Sequence, residues 1–241
     1  MSNSTKNSFL LPGLAIAALG AAAGVFVANN TKLSDDSATS PFSSKAGQRV
    51  GLDDDSAALK ALQADLERTL LLPEDYRSVP DSTLSDVHGQ PITTAALLDG
   101  KWTLMFFGYT FCPDVCPVTL QVMNEVVSKM EANGDEPMQV VFVTVDPVRD
   151  TAERMKDYVS YFNSDFIGIT GELDAIQKLT RSLGVIASFT ASKDNPENYI
   201  VDHTASMLLV SPDRRIRAKF AGPHEADTII DDYLTLMAAL N

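Results

Sequence analysis

The distribution of apolar residues after position 79 predicts an α/β domain. Residues 102–108 and 138–145 are nearly continuous apolar runs, which is typical of strands buried on both faces of a sheet. In four other segments apolar residues recur at helical spacing: 117–132, 151–162, 172–183 and 225–240. Shorter runs typical of strands occupy 84–87, 91–93, 166–169, 199–201, 206–210 and 215–220. This order predicts a mixed sheet flanked by helices.

The pattern before position 79 is different and indicates accessory segments. Residues 53–72 carry leucines at helical spacing and are predicted to form one helix that Pro73 ends. Residues 29–51 are rich in Ser, Thr, Asn and Asp without an apolar period, which is typical of a flexible tether. We therefore expect a tether and accessory helix over 29–78 and one domain over 79–241.

The N-terminus contains a predicted transmembrane helix. Residues 9–28 carry no charge, and twenty helical residues span about 30 Å, the thickness of a bilayer's hydrocarbon core. Lys6 precedes the segment, as in a signal peptide or a signal anchor. Small residues suited to cleavage lie inside the apolar run, at Ala21 and Ala23, so we expect an uncleaved anchor. Residues 1–8 are then cytoplasmic and the domain lies on the outer face, although Lys and Arg on both sides do not by themselves fix this orientation.

Composition narrows the classes of function. The 241 residues include 19 Lys and Arg against 32 Asp and Glu, a formal net charge of −13. Sequence-independent binding to nucleic acid is excluded, because it requires clustered Lys and Arg to neutralise phosphates. The chain has only two cysteines, so it is not a small fold stapled by disulfides.

Those two cysteines lie in a segment suited to reactive sulfur. Cys112 and Cys116 occur in GYTFCPDVCP, residues 108–117, between a predicted buried strand and a predicted helix. Pro117 disfavours helical geometry at Cys116, so both cysteines are expected on a turn that caps a helix starting near Pro117. Free N–H groups and the positive end of the helix dipole stabilise a thiolate there. A thiolate both attacks disulfides and binds metals, and the four-residue separation does not choose between these roles.

His203 is the candidate third ligand, and the alternative is a structural role, which a lone histidine more often has. The other two histidines have simpler interpretations, since His88 lies in a predicted polar turn and His224 precedes a predicted helix. Two thiolates and one imidazole form a soft three-coordinate set suited to Cu(I), and the imidazole also serves Cu(II). Asp202 is a candidate outer partner or fourth ligand. From the residues alone, copper binding and dithiol exchange both stay open.

Four further residues have both a local and a functional interpretation. Asp114 either caps the helix N-terminus or is a plain turn residue. Glu125, Asp146 and Arg149 either face a partner or stabilise the ends of helices and strands, and the structural roles are favoured.

Three motifs together resemble the SCO/SenC family of copper-binding, thioredoxin-like proteins: residues 108–117, VDPVRDT at 145–151, and Asp202-His203-Thr204. The resemblance covers roughly residues 84–240 in the same order. It implies a thioredoxin-like fold and a membrane-anchored copper chaperone for the CuA centre of cytochrome c oxidase, with Cys112, Cys116 and His203 as ligands. The implied partners are the copper subunit of the oxidase and a copper donor protein. The implied location is the bacterial periplasm, or the intermembrane space of a mitochondrion.

The alternative function is a thiol–disulfide oxidoreductase that acts on the cysteines of a partner protein. Cys112 and Cys116 would then be the reacting residues, because such a pair can cycle through a disulfide. A peroxidase is disfavoured, since the sequence has no recognisable arrangement of Arg and Thr for activating peroxide.

Overall fold

The computed structural model describes residues 56–191 and 199–240. Within them the helices are α1 (Ser56–Asp65), α2 (Thr94–Leu98), α3 (Val115–Asn133), α4 (Ala152–Phe162), α5 (Leu173–Leu183) and α6 (Ala226–Leu240). The strands are β1 (Thr69–Leu71), β2 (Thr83–Asp86), β3 (Pro91–Thr93), β4 (Thr103–Gly108), β5 (Gln139–Thr144), β6 (Ile167–Thr170), β7 (Ala187–Ala191), β8 (Tyr199–His203), β9 (Met207–Val210) and β10 (Ile216–Phe220).

Eight of these strands form one mixed sheet, as the hydrophobic pattern predicts. Their order is β1-β10-β9-β4-β5-β6-β2-β3. The central strands β4, β5 and β6 are parallel, and β9 pairs antiparallel with β4. All six residues of β4 are buried, because helices cover both faces of the centre. The cysteine segment follows β4 directly, so a fully buried strand positions it.

The helix predicted over 53–72 is shorter than expected. In the described residues α1 ends at Asp65, and β1 follows as an edge strand antiparallel to β10. Burial in β1 alternates, since Leu70 is exposed between two buried neighbours, which is the period of a strand rather than a helix. The Gln63 side chain accepts a hydrogen bond from Leu71 N at 2.8 Å and donates one to Thr69 O at 2.9 Å. These bonds support a turn after α1 in place of further helix.

A second difference concerns residues 199–201, which were expected to follow the other strands into one sheet. They belong to β8, which pairs with β7 in a separate two-stranded sheet. The sequence prediction missed β7, although its residues, ASFTA, alternate between apolar and polar side chains, and four of its five residues are exposed. We call these two strands the β7–β8 hairpin.

The predicted transmembrane helix at 9–28 and the tether at 29–51 lie outside the described residues. Among the helices of residues 56–191 and 199–240, none combines the length and the hydropathy needed to cross a membrane.

Candidate metal centre

The fold brings Cys112, Cys116 and His203 together from three different elements. Cys112 lies in the loop after β4, Cys116 in the first turn of α3, and His203 at the end of β8. Their ligand atoms all lie within 4.8 Å of one another. Cys116 Sγ lies 3.4 Å from His203 Nε2. Within the described residues this is the one group of three or more His, Cys, Asp and Glu side chains placed to hold a metal ion.

A glycine at the end of β4 makes this approach feasible. A Cβ atom on Gly108 would lie 2.7 Å from Cys116 Sγ and 2.7 Å from an edge carbon of Phe142. Both distances are far below van der Waals contact, and both neighbours are buried. The absence of a side chain at Gly108 therefore lets α3 place Cys116 directly against the sheet.

The helix α3 begins at Val115, two residues earlier than the prediction near Pro117. Only Cys112 lies in the preceding loop, whereas Cys116 is helical. Pro117 is tolerated because the N–H groups of a first helical turn have no partner within the helix. Asp114 occupies the N-cap position, but its side chain makes no capping hydrogen bond. Cys112 Sγ instead accepts a hydrogen bond from Cys116 N at 3.5 Å.

The two thiols have different proton affinities. A hydrogen bond from the Cys116 thiol lowers the pKa of Cys112 to about 5, with smaller contributions from backbone N–H groups and from His203. The same hydrogen bond, together with burial, raises the pKa of Cys116. At neutral pH the metal-free pair therefore holds one proton, on the buried Cys116, and one negative charge, on the partly exposed Cys112.

The imidazole of His203 faces the cysteines through Nε2. Its Nδ1 lies 3.1 Å from the carbonyl oxygen of Thr204. Because a carbonyl oxygen can only accept, Nδ1 is the donor in this contact, and Nε2 is the ring nitrogen that faces the sulfurs. The rings of Tyr109 and Phe106 lie at centroid distances of 5.8 and 6.3 Å, with Tyr109 edge-on. This packing restricts the orientation of the ring.

The donor set consists of two sulfurs and one imidazole nitrogen, which suits a soft cation such as Cu(I). A structural zinc site normally has four protein ligands, and among the residues that the structure describes three converge here. Asp202, the candidate fourth ligand, is exposed and is not among the converging residues. Its side chain points to the opposite face of β8 from His203, because neighbouring residues of a strand alternate.

The other sequence candidates lie elsewhere. His88 is exposed in the turn between β2 and β3. His224 is partly buried with Nε2 3.0 Å from the carbonyl oxygen of Ala205, and burial lowers its pKa. Glu125 is exposed and pairs with Lys129 one turn along α3 at 2.8 Å. These residues take structural or surface positions.

Asp150 is a supporting residue that sequence reasoning missed. Its buried carboxylate accepts hydrogen bonds from Thr110 N at 3.0 Å, from the Thr110 hydroxyl at 2.5 Å and from the Thr144 hydroxyl at 2.6 Å. Burial raises the pKa of this carboxyl, against the opposing effect of these bonds. The carboxylate thus joins the loop after β4, which leads to Cys112, to the end of β5. The motif at 145–151 contains Asp150, but the sequence does not show that it faces Thr110.

The chain is similar to known proteins in both sequence and structure. The family model described as SCO1/SenC matches residues 73–238. A Stutzerimonas stutzeri protein, provisionally named as copper-binding, is 37% identical over 163 residues, covering 68% of this chain and 78% of the relative. A mitochondrial SCO2 homologue of Bos taurus is 37% identical over 174 residues, covering 72% of this chain but only 65% of the relative. The crystal structure of Arabidopsis thaliana ScoI with copper bound has a TM-score of 0.61 at 32% identity, covering 66% of this chain and 96% of that one.

These likenesses confirm the predicted mixed α/β, thioredoxin-like fold. The matched region contains both cysteines and the histidine, so the candidate centre lies inside the part of the chain that its relatives share.

Proposed function

We propose that this protein, because it belongs to the SCO1/SenC family, binds one copper ion through Cys112, Cys116 and His203 and delivers it to the CuA centre of cytochrome c oxidase. The observation that carries the proposal is the convergence of two sulfurs and one imidazole nitrogen within 4.8 Å. Thiolate and imidazole are suitable ligands for copper. The copper-bound structure of the Arabidopsis relative supports the choice of metal.

The three ligands have distinct parts in this function. Cys112 is partly exposed and its pKa is held near 5, so it offers a thiolate at neutral pH without first losing a proton. Cys116 is fully buried and lies behind it, where it releases its proton when the metal is bound. His203 completes the set from the hairpin. An incoming thiol of a donor or recipient therefore meets Cys112 before Cys116.

The recipient and the location follow from the family resemblance. The copper subunit of cytochrome c oxidase is the proposed recipient, and a separate copper donor protein loads the site. The uncharged segment 9–28 is the proposed anchor, and residues 29–78 are the proposed tether and accessory helix, apart from β1, which joins the main sheet. Residues 79–241 are the proposed copper-binding domain on the outer face. The outer face is the periplasm in a bacterium or the intermembrane space in a mitochondrion. The bovine relative is named as a mitochondrial protein.

Copper(I) affinity of the full chain tests the ligand set. We expect His203→Ala to weaken binding at least about tenfold, because even an outer partner of a metal ligand is worth 10- to 100-fold in affinity. His88→Ala is the matched control, since His88 is an exposed turn residue, and it should keep the wild-type affinity. The assay is competition with a chromophoric Cu(I) chelator. If His203→Ala keeps the wild-type affinity and optical spectrum, the assignment of His203 as a ligand is wrong.

Transfer of copper tests the delivery function. The copper-loaded full chain is mixed with the metal-free CuA domain of the oxidase, and the optical spectrum of the CuA centre is followed. We expect that spectrum to appear, with His88→Ala matching the wild type. Copper that stays on this protein over hours, while a control Cu(I) complex loads the same CuA domain, contradicts delivery to this recipient.

A second function, thiol–disulfide exchange with a partner, is favoured by the ionised Cys112 next to the protonated Cys116. In this reaction the Cys112 thiolate attacks a partner disulfide, forms a mixed disulfide and releases one partner thiolate. Cys116 then attacks Cys112 Sγ, which forms the Cys112–Cys116 disulfide and releases the second partner thiol. The protein is oxidised by two electrons and the partner is reduced by two.

The His203→Ala variant distinguishes copper binding from thiol–disulfide exchange. Reduction of an oxidised CuA-domain peptide needs the cysteines alone, so the variant should retain it while losing tight copper binding. Cys112→Ser should lose both. If Cys112→Ser reduces the peptide as fast as the wild type, thiol–disulfide exchange is not a function of this pair.

A further inference from the structure

His203 lies on an element that the main sheet does not hold. Within the described residues, β8 pairs with β7 only, and the last four residues of β7 are exposed. A two-stranded hairpin is at best marginally stable in water on its own. The position of His203 relative to the cysteines therefore depends on contacts between this hairpin and the rest of the domain.

Arg149 makes the most extensive of these contacts at the far end of β8. Its Nη1 donates a hydrogen bond to the carbonyl oxygen of Tyr199 at 3.0 Å, and its guanidinium carbon lies 3.6 Å from the centre of the Tyr199 ring. Its Nε donates to Asp146, which also accepts a hydrogen bond from the Tyr199 hydroxyl at 2.8 Å. Tyr199 is thus held through its backbone, its ring and its hydroxyl. The Arg149 side chain is only 17% exposed, so these interactions are largely shielded from water.

The same guanidinium group contacts the cysteine side of the centre. It lies 4.8 Å from the ring centre of Phe111, the residue before Cys112. It also lies 5.7 Å from the ring centre of Tyr109. Tyr109 in turn packs edge-on against His203, and its hydroxyl oxygen lies 3.5 Å from Val201 N, in the middle of β8. Arg149 therefore touches both the loop that carries Cys112 and the strand that carries His203.

We propose that Arg149 is a positioning residue for the metal centre: with Asp146 and Tyr199 it fastens the β7–β8 hairpin to the cysteine loop, and so keeps His203 within reach of both sulfurs. The proposal rests on the copper site of the proposed function, but its effect on the hairpin is independent of copper. Arg149 acts through Tyr199, Tyr109 and Phe111.

The chain offers a matched control in Arg154. Its guanidinium carbon lies 3.9 Å from the same Phe111 ring. Its Nε, however, donates to the Thr110 hydroxyl at 2.6 Å, in the cysteine loop rather than the hairpin. Arg154→Ala therefore removes an equal charge and a stacking contact while leaving the attachment of Tyr199 intact.

Copper(I) affinity of the full chain is the first measurement. Arg149→Ala should weaken binding about 10- to 100-fold, the usual effect of removing an outer partner of a metal ligand. Arg154→Ala should weaken binding less, because it leaves the attachment of Tyr199 intact. In a His203→Ala background, Arg149→Ala should produce no further loss, because the ligand that it positions is already absent. An equal loss with and without His203 would overturn the proposal, since Arg149 would then act through the cysteines or through general stability.

Amide hydrogen exchange of the metal-free full chain is the second measurement. Arg149→Ala should accelerate exchange in Tyr199–His203 and leave β4 protected, whereas uniform acceleration or no change contradicts positioning. This readout separates the two proposals, because it still reports on the hairpin if His203 proves not to bind copper. Tyr199→Phe, which loses only the hydroxyl bond to Asp146, should move exchange in the same direction. It serves as the test if Arg149→Ala does not fold.

Discussion

Gly108 has a constraint that its neighbours in β4 do not have. The other five residues of that strand fill the core with side chains, whereas any side chain at Gly108 would occupy the space of the Cys116 sulfur and the Phe142 ring. Neither neighbour can move freely, since one is in the first turn of α3 and the other is in the middle of β5. The position therefore couples the packing of the sheet to the placement of a ligand sulfur.

We expect Gly108→Ala to lower the free energy of unfolding by about 1–3 kcal/mol, the usual effect of overpacking a close-packed core. Copper affinity should fall with it, because Cys116 Sγ must shift. Gly171→Ala is the control, since a Cβ there would meet its nearest neighbour at an ordinary 3.5 Å. Urea unfolding of the wild type and of both variants gives the three free energies of unfolding to compare. Equal stability of Gly108→Ala and Gly171→Ala would show that the close approach at Gly108 is not limiting.

The thiols should differ in reactivity as they differ in pKa. Because the pKa of Cys112 is lowered to about 5, it is a thiolate above that pH, and iodoacetamide should modify it already at pH 6. Its rate should rise between pH 4 and 6 and then level off. Cys116, whose pKa is raised, should react slowly up to pH 9. Mass spectrometry of the metal-free protein identifies the modified residue, and faster labelling of Cys116 than of Cys112 at pH 6 would contradict this assignment.

At the scale of elements, α1 and β1 show why the boundary between them escaped prediction. The leucine spacing over 53–72 is helical, but the turn after α1 is stabilised by groups that are distant in the sequence. The buried carboxylate of Asp232 accepts hydrogen bonds from Glu67 N at 2.9 Å and Arg68 N at 3.3 Å. These partners are separated by 165 and 164 positions in the sequence, so no pattern in the local sequence predicts the hydrogen bonds between them.

Removal of this carboxylate should loosen β1 selectively. We expect Asp232→Ala to lower the free energy of unfolding by about 1–3 kcal/mol, because it removes two hydrogen bonds that each contribute roughly 0.5–1.5 kcal/mol. Exchange of the β1 amides should accelerate, while copper affinity should stay at the wild-type value. Asp231→Ala, at an exposed neighbouring position, should change none of these quantities. A loss of stability in both variants alike would point to α6 itself rather than to the turn after α1.

Other elements follow directly from their local sequence. The apolar runs that become β4 and β5 predict buried central strands, because only such strands need apolar side chains on both faces. The hairpin β2–β3 is likewise confirmed around the predicted turn at His88-Gly89, where Gly89 has a positive φ of 72°. The prediction missed β7, although its short sequence alternates between apolar and polar residues, and its exposed side chains set it apart from the buried strands of the main sheet.

At the scale of the whole molecule, the candidate metal centre joins the cysteine loop, which follows β4 of the main sheet, to the β7–β8 hairpin, which forms a separate sheet. The cysteine motif is visible in the sequence because its members are four residues apart. The residues alone made His203 a candidate, and the family resemblance selected it as a ligand, because no local pattern connects it to Cys116, 87 positions earlier. Arg149 and Tyr199 could not be connected at all, because the 50 residues between them carry no pattern that predicts their contact.

Copper should therefore stabilise the molecule as a whole. A ligand that binds only the folded state, present at 100 times its dissociation constant, adds about 2.7 kcal/mol to the free energy of unfolding. We expect Cu(I) to raise the melting temperature of the full chain, a strong Cu(I) chelator to reverse the shift, and His203→Ala to reduce it. Differential scanning calorimetry with and without Cu(I) provides the measurement. An unchanged melting temperature at saturating Cu(I) would show that the metal does not prefer the folded state.

The wide separation of the ligands along the chain has a mechanical consequence. A metal ion held by both Cys116 and His203 closes a covalent–coordinate ring that contains the 87-residue interval between them. If the termini are pulled apart in a single-molecule experiment, that interval cannot extend until a coordination bond breaks. At about 3.3–3.6 Å for each residue, roughly 300 Å of contour length is hidden while copper is bound. The loaded and empty proteins would thus differ in extension under force, although they have the same sequence and the same fold.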